Sequence, residues 1–181
     1  MIAKFFSWLE HATDPLPSAQ PNMPPASLIP FILHYARPFW PLLLASGLFS
    51  TVIALLEVML FAFLGRLVDW LATAERATFW ADHSGELVLM GVVVLAVLPV
   101  LKFVYGSISH QGLLGNFAMR TRWQAHRYLL RQSMEFYQDD FAGRVAAKMM
   151  QTALAVRDIV MKLTEVLLYV VVYFGAAVVL F

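Results

Sequence analysis

The chain has 181 residues, of which 60% are hydrophobic and 14% charged, with a formal net charge of +1 and no cysteine. Soluble domains run at about 45–50% apolar and about 25% charged, and a domain of this size exposes too much surface to hide the excess in one core, so the composition excludes an ordinary soluble enzyme and asks for lipid. The absent cysteines exclude a disulfide framework and thiol-ligated metal sites.

Residues 1–26 form a leader. Lys4 precedes a short apolar run, Phe5, Phe6, Trp8 and Leu9, which Glu10 and His11 interrupt. A cleaved signal needs a longer apolar core and small residues before its cleavage site, so this stretch reads as a segment touching the membrane surface through its aromatics. Pro15, Pro17, Pro21, Pro24, Pro25 and Pro30 follow. Proline removes backbone donors and fixes φ, which predicts an extended, mostly disordered linker; a PxxP ligand is the alternative. Residues 27–40 mix Ile29, Phe31, Leu33, Tyr35, Phe39 and Trp40 with His34 and Arg37. Aromatic and basic residues before an apolar span are typical of the interfacial belt, and a short helix lying along the membrane surface is expected here.

The first span is read at 42–64. At about 1.5 Å per residue it covers about 35 Å, enough for a hydrocarbon core of about 30 Å. A short polar connection follows at 65–86, then a second span at 87–106 with Pro99, which predicts a kink, and Lys102. The third apolar run begins near residue 160 and is uncharged from Val166 to Phe181, so the sequence reads as a piece of something longer, truncated within its third helix. The connection at 65–86 holds Arg66 and Arg76 against Asp69, Glu75, Asp82 and Glu86, whereas residues 107–162 hold Arg120, Arg122, Arg127, Arg131, Arg144, Lys148, Arg157 and Lys162. The positive-inside rule places the basic stretch and the N-terminus in the cytoplasm.

That basic stretch predicts a helical hairpin. Proline-free sequence carries the second span onward as an amphipathic helix to about residue 135. Arg120, Gln124, Arg127 and Arg131 share one helical face, and Trp123, Leu130, Met134 and Tyr137 another. A turn is expected at 135–143, near Asp139, Asp140 and Gly143, and helix again from Arg144 into the third span. The hairpin would reach roughly 30–40 Å beyond the bilayer, its arginines enforcing topology and solvating it. Nucleic-acid binding is excluded, because the aromatics are spaced for packing and not interleaved as stacking platforms.

Glu57 is the intramembrane acid of the first span. A charge at a helix centre costs roughly 2.5–3.5 kcal/mol, so such residues face a bundle interior or a wet cavity; Glu57 is a candidate cavity-facing residue, with a neutral or hydrogen-bonded packing role as the alternative. Counted from the inner ends of the two spans, Lys102 differs from it by roughly 16 Å in depth, and snorkelling toward the headgroups is expected for the lysine. None of the nine glycines is followed by Lys-Ser or Lys-Thr, so no Walker A loop is present. The histidines never fall at i, i+4 and no HExxH or GxSxG occurs, leaving no catalytic, cofactor or metal residues to name.

The segment Phe136-Tyr137-Gln138-Asp139-Asp140-Phe141-Ala142-Gly143-Arg144-Val145, continuing through Val156-Arg157-Asp158, resembles the first intracellular loop of ABC exporters, the type IV transmembrane domain. Leu64-Gly65-Arg66-Leu67-Val68-Asp69 is similar to the outer end of that family's first helix, and residues 27–40 to its elbow helix. Many members carry an acid where this chain has Arg144 and Thr152. The resemblance implies an all-α membrane protein whose long helices extend into the cytoplasm, the N-terminal part of an inner-membrane, ATP-driven exporter that works as a homo- or heterodimer. It also implies a coupling helix at 135–143, with Phe136, Tyr137, Asp139, Asp140 and Phe141 touching a nucleotide-binding domain that holds ATP and Mg outside this chain. A small non-transporting anchor or regulatory subunit, acting through the same hairpin, is the alternative.

Overall fold

The computed structural model describes residues 2–73, 79–139 and 142–180. Among these residues the ordered elements are all helical. They are α1 (Ile2–His11), α2 (Leu28–Ala36), α3 (Trp40–Thr73), α4 (Phe79–Leu129), α5 (Met134–Asp139) and α6 (Gly143–Leu180). Crossing a bilayer takes about 20 residues of helix. The stretch Leu28–Ala72, α4 and α6, at 45, 51 and 38 residues, are each long and apolar enough to do so, which makes this a membrane protein. Helices outrun the apolar windows because an apolar window marks hydrocarbon, whereas a helix ends only where its backbone loses its partners. Most of the connection expected at 65–86 is therefore helical, and α4 stops at Leu129 and not near residue 135.

Proline explains the local geometry of α4. Pro99 has no N–H to give the Leu95 carbonyl, and its ring crowds that carbonyl. The helix answers by widening into a π turn over Val93–Val97, in which the Leu98 N–H reaches back to the Val93 carbonyl. Further π turns occupy Ile108–Leu114 and Lys162–Leu167.

The chain divides into two compact units. The first joins Met1–Ala45 to Ser107–Thr164. In it, α4 beyond Ser107 packs along the first half of α6, α2 lies against α6, and α1 lies on the π turn Ile108–Leu114. Its core is Leu9, Phe39, Leu113, Phe117 and Ala153, all essentially inaccessible, with the Phe39 and Phe117 rings stacked at 4.7 Å. Gly112 sits where a Cβ would stand 3.2 Å from Leu42 Cδ1, so the backbones approach closely there. The Arg37–Phe39 turn, opened by Pro38, carries α2 straight into α3.

The second unit joins Ser46–Gly106 to Glu165–Phe181. Ile53, Ala54, Val58, Met90 and Leu98 are buried, while Leu95, Val178 and Val179 remain 81, 79 and 89% exposed, as suits faces solvated by lipid tails. The Ser50 hydroxyl donates to the Glu165 carbonyl at 3.4 Å. At one end, Trp70 stacks on His83 at 4.1 Å, and Arg66 pairs with Glu86 at 3.4 Å. Both charges of that pair are about half exposed, so it contributes at most about 1 kcal/mol.

Phe117 anchors the first unit, and Phe117→Ala leaves a ring-sized void against Phe39. A loss of about 3–5 kcal/mol is expected, read as a lowered midpoint of denaturation in detergent. Replacing the exposed Leu130 with alanine should leave the midpoint nearly unchanged.

Candidate functional site

Two polar constellations stand out, one in each unit. In the second unit Glu57 projects from the middle of α3. Its Oε1 lies 2.8 Å from Lys102 Nζ, and its Oε2 accepts a hydrogen bond from the Tyr169 hydroxyl on α6. Tyr173, one turn on, stacks on Tyr169 at 5.7 Å. Glu57, Tyr169 and Tyr173 line a cavity of about 560 Å³ with Leu60, Phe61, Phe63, Leu64, Leu67 and Val94. Three side chains thus bring a cation, an anion and a phenol together against an aromatic and aliphatic wall, a setting suited to holding an amphipathic molecule.

The expected separation of Glu57 and Lys102 is corrected by this pair. Depth was counted from the inner ends of two apolar windows, but both helices continue past those ends, so the windows share no common zero. Counted from the α3–α4 connection, Lys102 lies only about seven residues deeper than Glu57, roughly 10 Å. Helical side chains lean toward their own N-terminus, and in antiparallel neighbours these two therefore lean toward each other. Tyr169 was missed by the sequence analysis, although a signal existed: it and Tyr173 are tyrosines at i, i+4 within an otherwise apolar run.

In the first unit the hairpin tip and the leader-facing side of α4 form the second constellation. Ser133 opens α5, its Oγ accepting from the Phe136 N–H at 3.3 Å, as an N-cap serine does. The Tyr137 hydroxyl donates to the Leu129 carbonyl at 2.6 Å, satisfying an end-of-helix acceptor and tying α5 back onto α4. Phe136 meets Tyr137 edge-on at 5.3 Å and lines a cavity of about 330 Å³ with Tyr35, Thr121, Tyr128 and Met149. Asp139 closes α5; its side chain, together with Asp140 and Phe141, lies outside the described residues. Arg157 folds onto its neighbour Asp158, with Nη2 2.7 Å from Oδ1.

The arginine face of α4 departs furthest from expectation. It holds the leader. Asn116 Nδ2 donates to the Glu10 carbonyl at 2.8 Å, and Arg120 Nη1 to the Asp14 carbonyl. Trp123 Nε1 donates to the Pro17 carbonyl at 3.1 Å. Arg127 Nη1 meets the carbonyls of Pro17, Ser18 and Ala19 at 3.1, 2.6 and 3.0 Å. Arg131 donates to Gln20 Oε1 and to the Pro21 carbonyl, both at 2.8 Å. Arg127 also lies over the Trp123 ring, 5.8 Å from its centroid, a cation–π contact. The leader is thus helical at its start and docked through its proline-rich part, not a disordered linker, and the arginines are not merely solvated. Among the described residues no group of three or more His, Asp and Glu gathers in a way that could hold a metal ion.

Comparison with known proteins adds one relative. Over 176 residues, 96% of this chain, the sequence is 43% identical to a Haemophilus influenzae protein named as an uncharacterized ABC transporter ATP-binding protein. The chain spans 28% of that relative's length. No family model matches the chain. No solved structure matches it.

If Glu57 and Lys102 stabilise each other, removing either partner strands a charge. Glu57→Gln and Lys102→Met should each cost about 1–3 kcal/mol, and the double variant less than their sum. A double-mutant cycle on detergent unfolding measures the coupling, and strict additivity would contradict the pairing.

Proposed function

We propose that this chain is the N-terminal part of the membrane domain of an ATP-driven exporter, contributing to the translocation pathway and taking force from a nucleotide-binding domain through the α4–α5–α6 hairpin. The observation that carries this reading is the 43% identity, across nearly the whole chain, to a much longer protein named for ABC transport and ATP binding. This chain has no Walker A loop, so ATP and its Mg ion bind elsewhere in the intact transporter. The chain's share is mechanical, helices that move as bodies when the nucleotide-binding parts rearrange.

Within this reading, α5 and the turn after it form the coupling element. Tyr137 and Phe136 set the angle of the tip through the Leu129 carbonyl and the 330 Å³ cavity, and Asp139, Asp140 and Phe141 are the further contacts this reading assigns to the partner domain. Glu57 faces the translocation pathway, with the pair to Lys102 keeping the site near neutral. The N-terminus and the hairpin lie in the cytoplasm of a cell whose inner membrane holds the transporter, and the intact unit works as a dimer.

Topology offers a direct check: these 181 residues hold no cysteine, so once any cysteines elsewhere in the transporter are replaced, single cysteines report cleanly. Glu135 and Asp82 are both exposed. In cells producing the full transporter, Glu135→Cys should react only from the cytoplasm and cross-link to the ATP-binding domain, and Asp82→Cys only from outside. Labelling of both from the same side would overturn the hairpin's role. Substrate-stimulated ATP hydrolysis that survives Tyr137→Ala unchanged would remove the coupling role from α5.

A further inference from the structure

The leader between Asp14 and Pro21 makes neither helix nor strand. Pro15, Pro17 and Pro21 lack N–H groups, so this stretch is rich in carbonyls that no local ladder can satisfy. Opposite them, α4 presents donors at a helical spacing: Arg120, Trp123, Arg127 and Arg131. The three arginines rise along one side of the helix and Trp123, expected on the neighbouring face, stands at its edge; the leader runs beside them, so that Asp14 meets Arg120, Pro17 to Ala19 meet Trp123 and Arg127, and Gln20 and Pro21 meet Arg131. All but one of the acceptors are backbone carbonyls. An indole N–H flanked by cationic side chains, reading the carbonyls of a proline-rich segment, is the chemistry by which aromatic grooves hold proline-rich peptides.

We propose that this face of α4 is a recognition surface for proline-rich peptide, whose resident ligand is the chain's own leader, residues 14–21. Two features support a bound peptide over a fused strut. Ser18 and Ala19 keep their side chains exposed while their carbonyls are held, so the surface reads backbone and not a packed core. The leader is also anchored upstream, where Leu9 is buried against the unit and Asn116 takes the Glu10 carbonyl. That anchor raises the local concentration of the ligand to the millimolar range for a short tether. A competing peptide therefore has to be supplied at millimolar concentration. Release of the strap frees the side of α4 between Asn116 and Arg131 without disturbing the Phe39–Phe117 core.

The test uses the full transporter in nanodiscs, with any cysteines outside these residues replaced and a nitroxide on Ser18→Cys, an exposed position in a stretch that holds no cysteine. The parent should show slow label motion. Arg127→Ala removes the group that meets three carbonyls and should shift the bound-to-free ratio by at least about tenfold, the equivalent of one charged hydrogen bond. Arg127→Lys, a point charge without the planar fork, should fall between. A synthetic peptide of residues 12–24, added to the labelled parent at millimolar concentration, should release the leader, and the same peptide with alanine at its prolines should be several-fold weaker. Fast motion in the parent, an unchanged spectrum in Arg127→Ala, or equal potency of the two peptides would each overturn the proposal. The peptide arm needs no substitution in α4, so its result stands even if the arginine variants unfold.

Discussion

Every polar group of this chain that enters hydrocarbon has to find a partner within the protein, because no water is there to supply one. The long helices follow from that constraint. Where Pro99 deletes a donor, α4 widens into a π turn and does not break. Where Glu57 places a carboxylate, Lys102 and Tyr169 come to it from two other helices. The same requirement sends the Ser50 hydroxyl to a main-chain carbonyl on the third helix. Each of these polar contacts ties separate helices together.

The other unit obeys the same rule. Proline-rich backbone outside a helix or strand has carbonyls to satisfy, and α4 satisfies them with arginine and tryptophan. Arginine suits this work because its fork of donors serves several acceptors at once. The leader, the elbow α2 and the base of the α4–α6 hairpin therefore form one braced body. The leader's contacts run along α4 from Asn116 to Arg131, almost to the start of α5.

Element type was legible in the sequence almost throughout, since long apolar runs and proline-free amphipathic stretches leave few choices besides helix. Glu57 was legible as a residue in need of company, because a lone acid in an apolar run is costly. Its partners were not. Whether Lys102 reaches Glu57 depends on the lean of two side chains and on where two helices share a depth, and neither is visible in the order of residues. The leader was misread for a related reason. Arginines that bind carbonyls need no acidic complement, and Asp14 is the one acid of the segment at 14–21, so a charge map gives little sign that this segment and the basic face belong together.

By itself, the sequence determined that this chain belongs in lipid, that it is helical, that three of its helices are able to cross a membrane, and that no Walker A loop lies within these residues. These are properties of composition and short-range period, which need no folded context. Only the tertiary structure decided which polar groups meet: Glu57 with Lys102 and Tyr169, and the arginine face with the leader more than a hundred residues away. Such pairings depend on distance in space, and helix register, tilt and turn geometry set that distance in ways the linear order does not encode residue by residue.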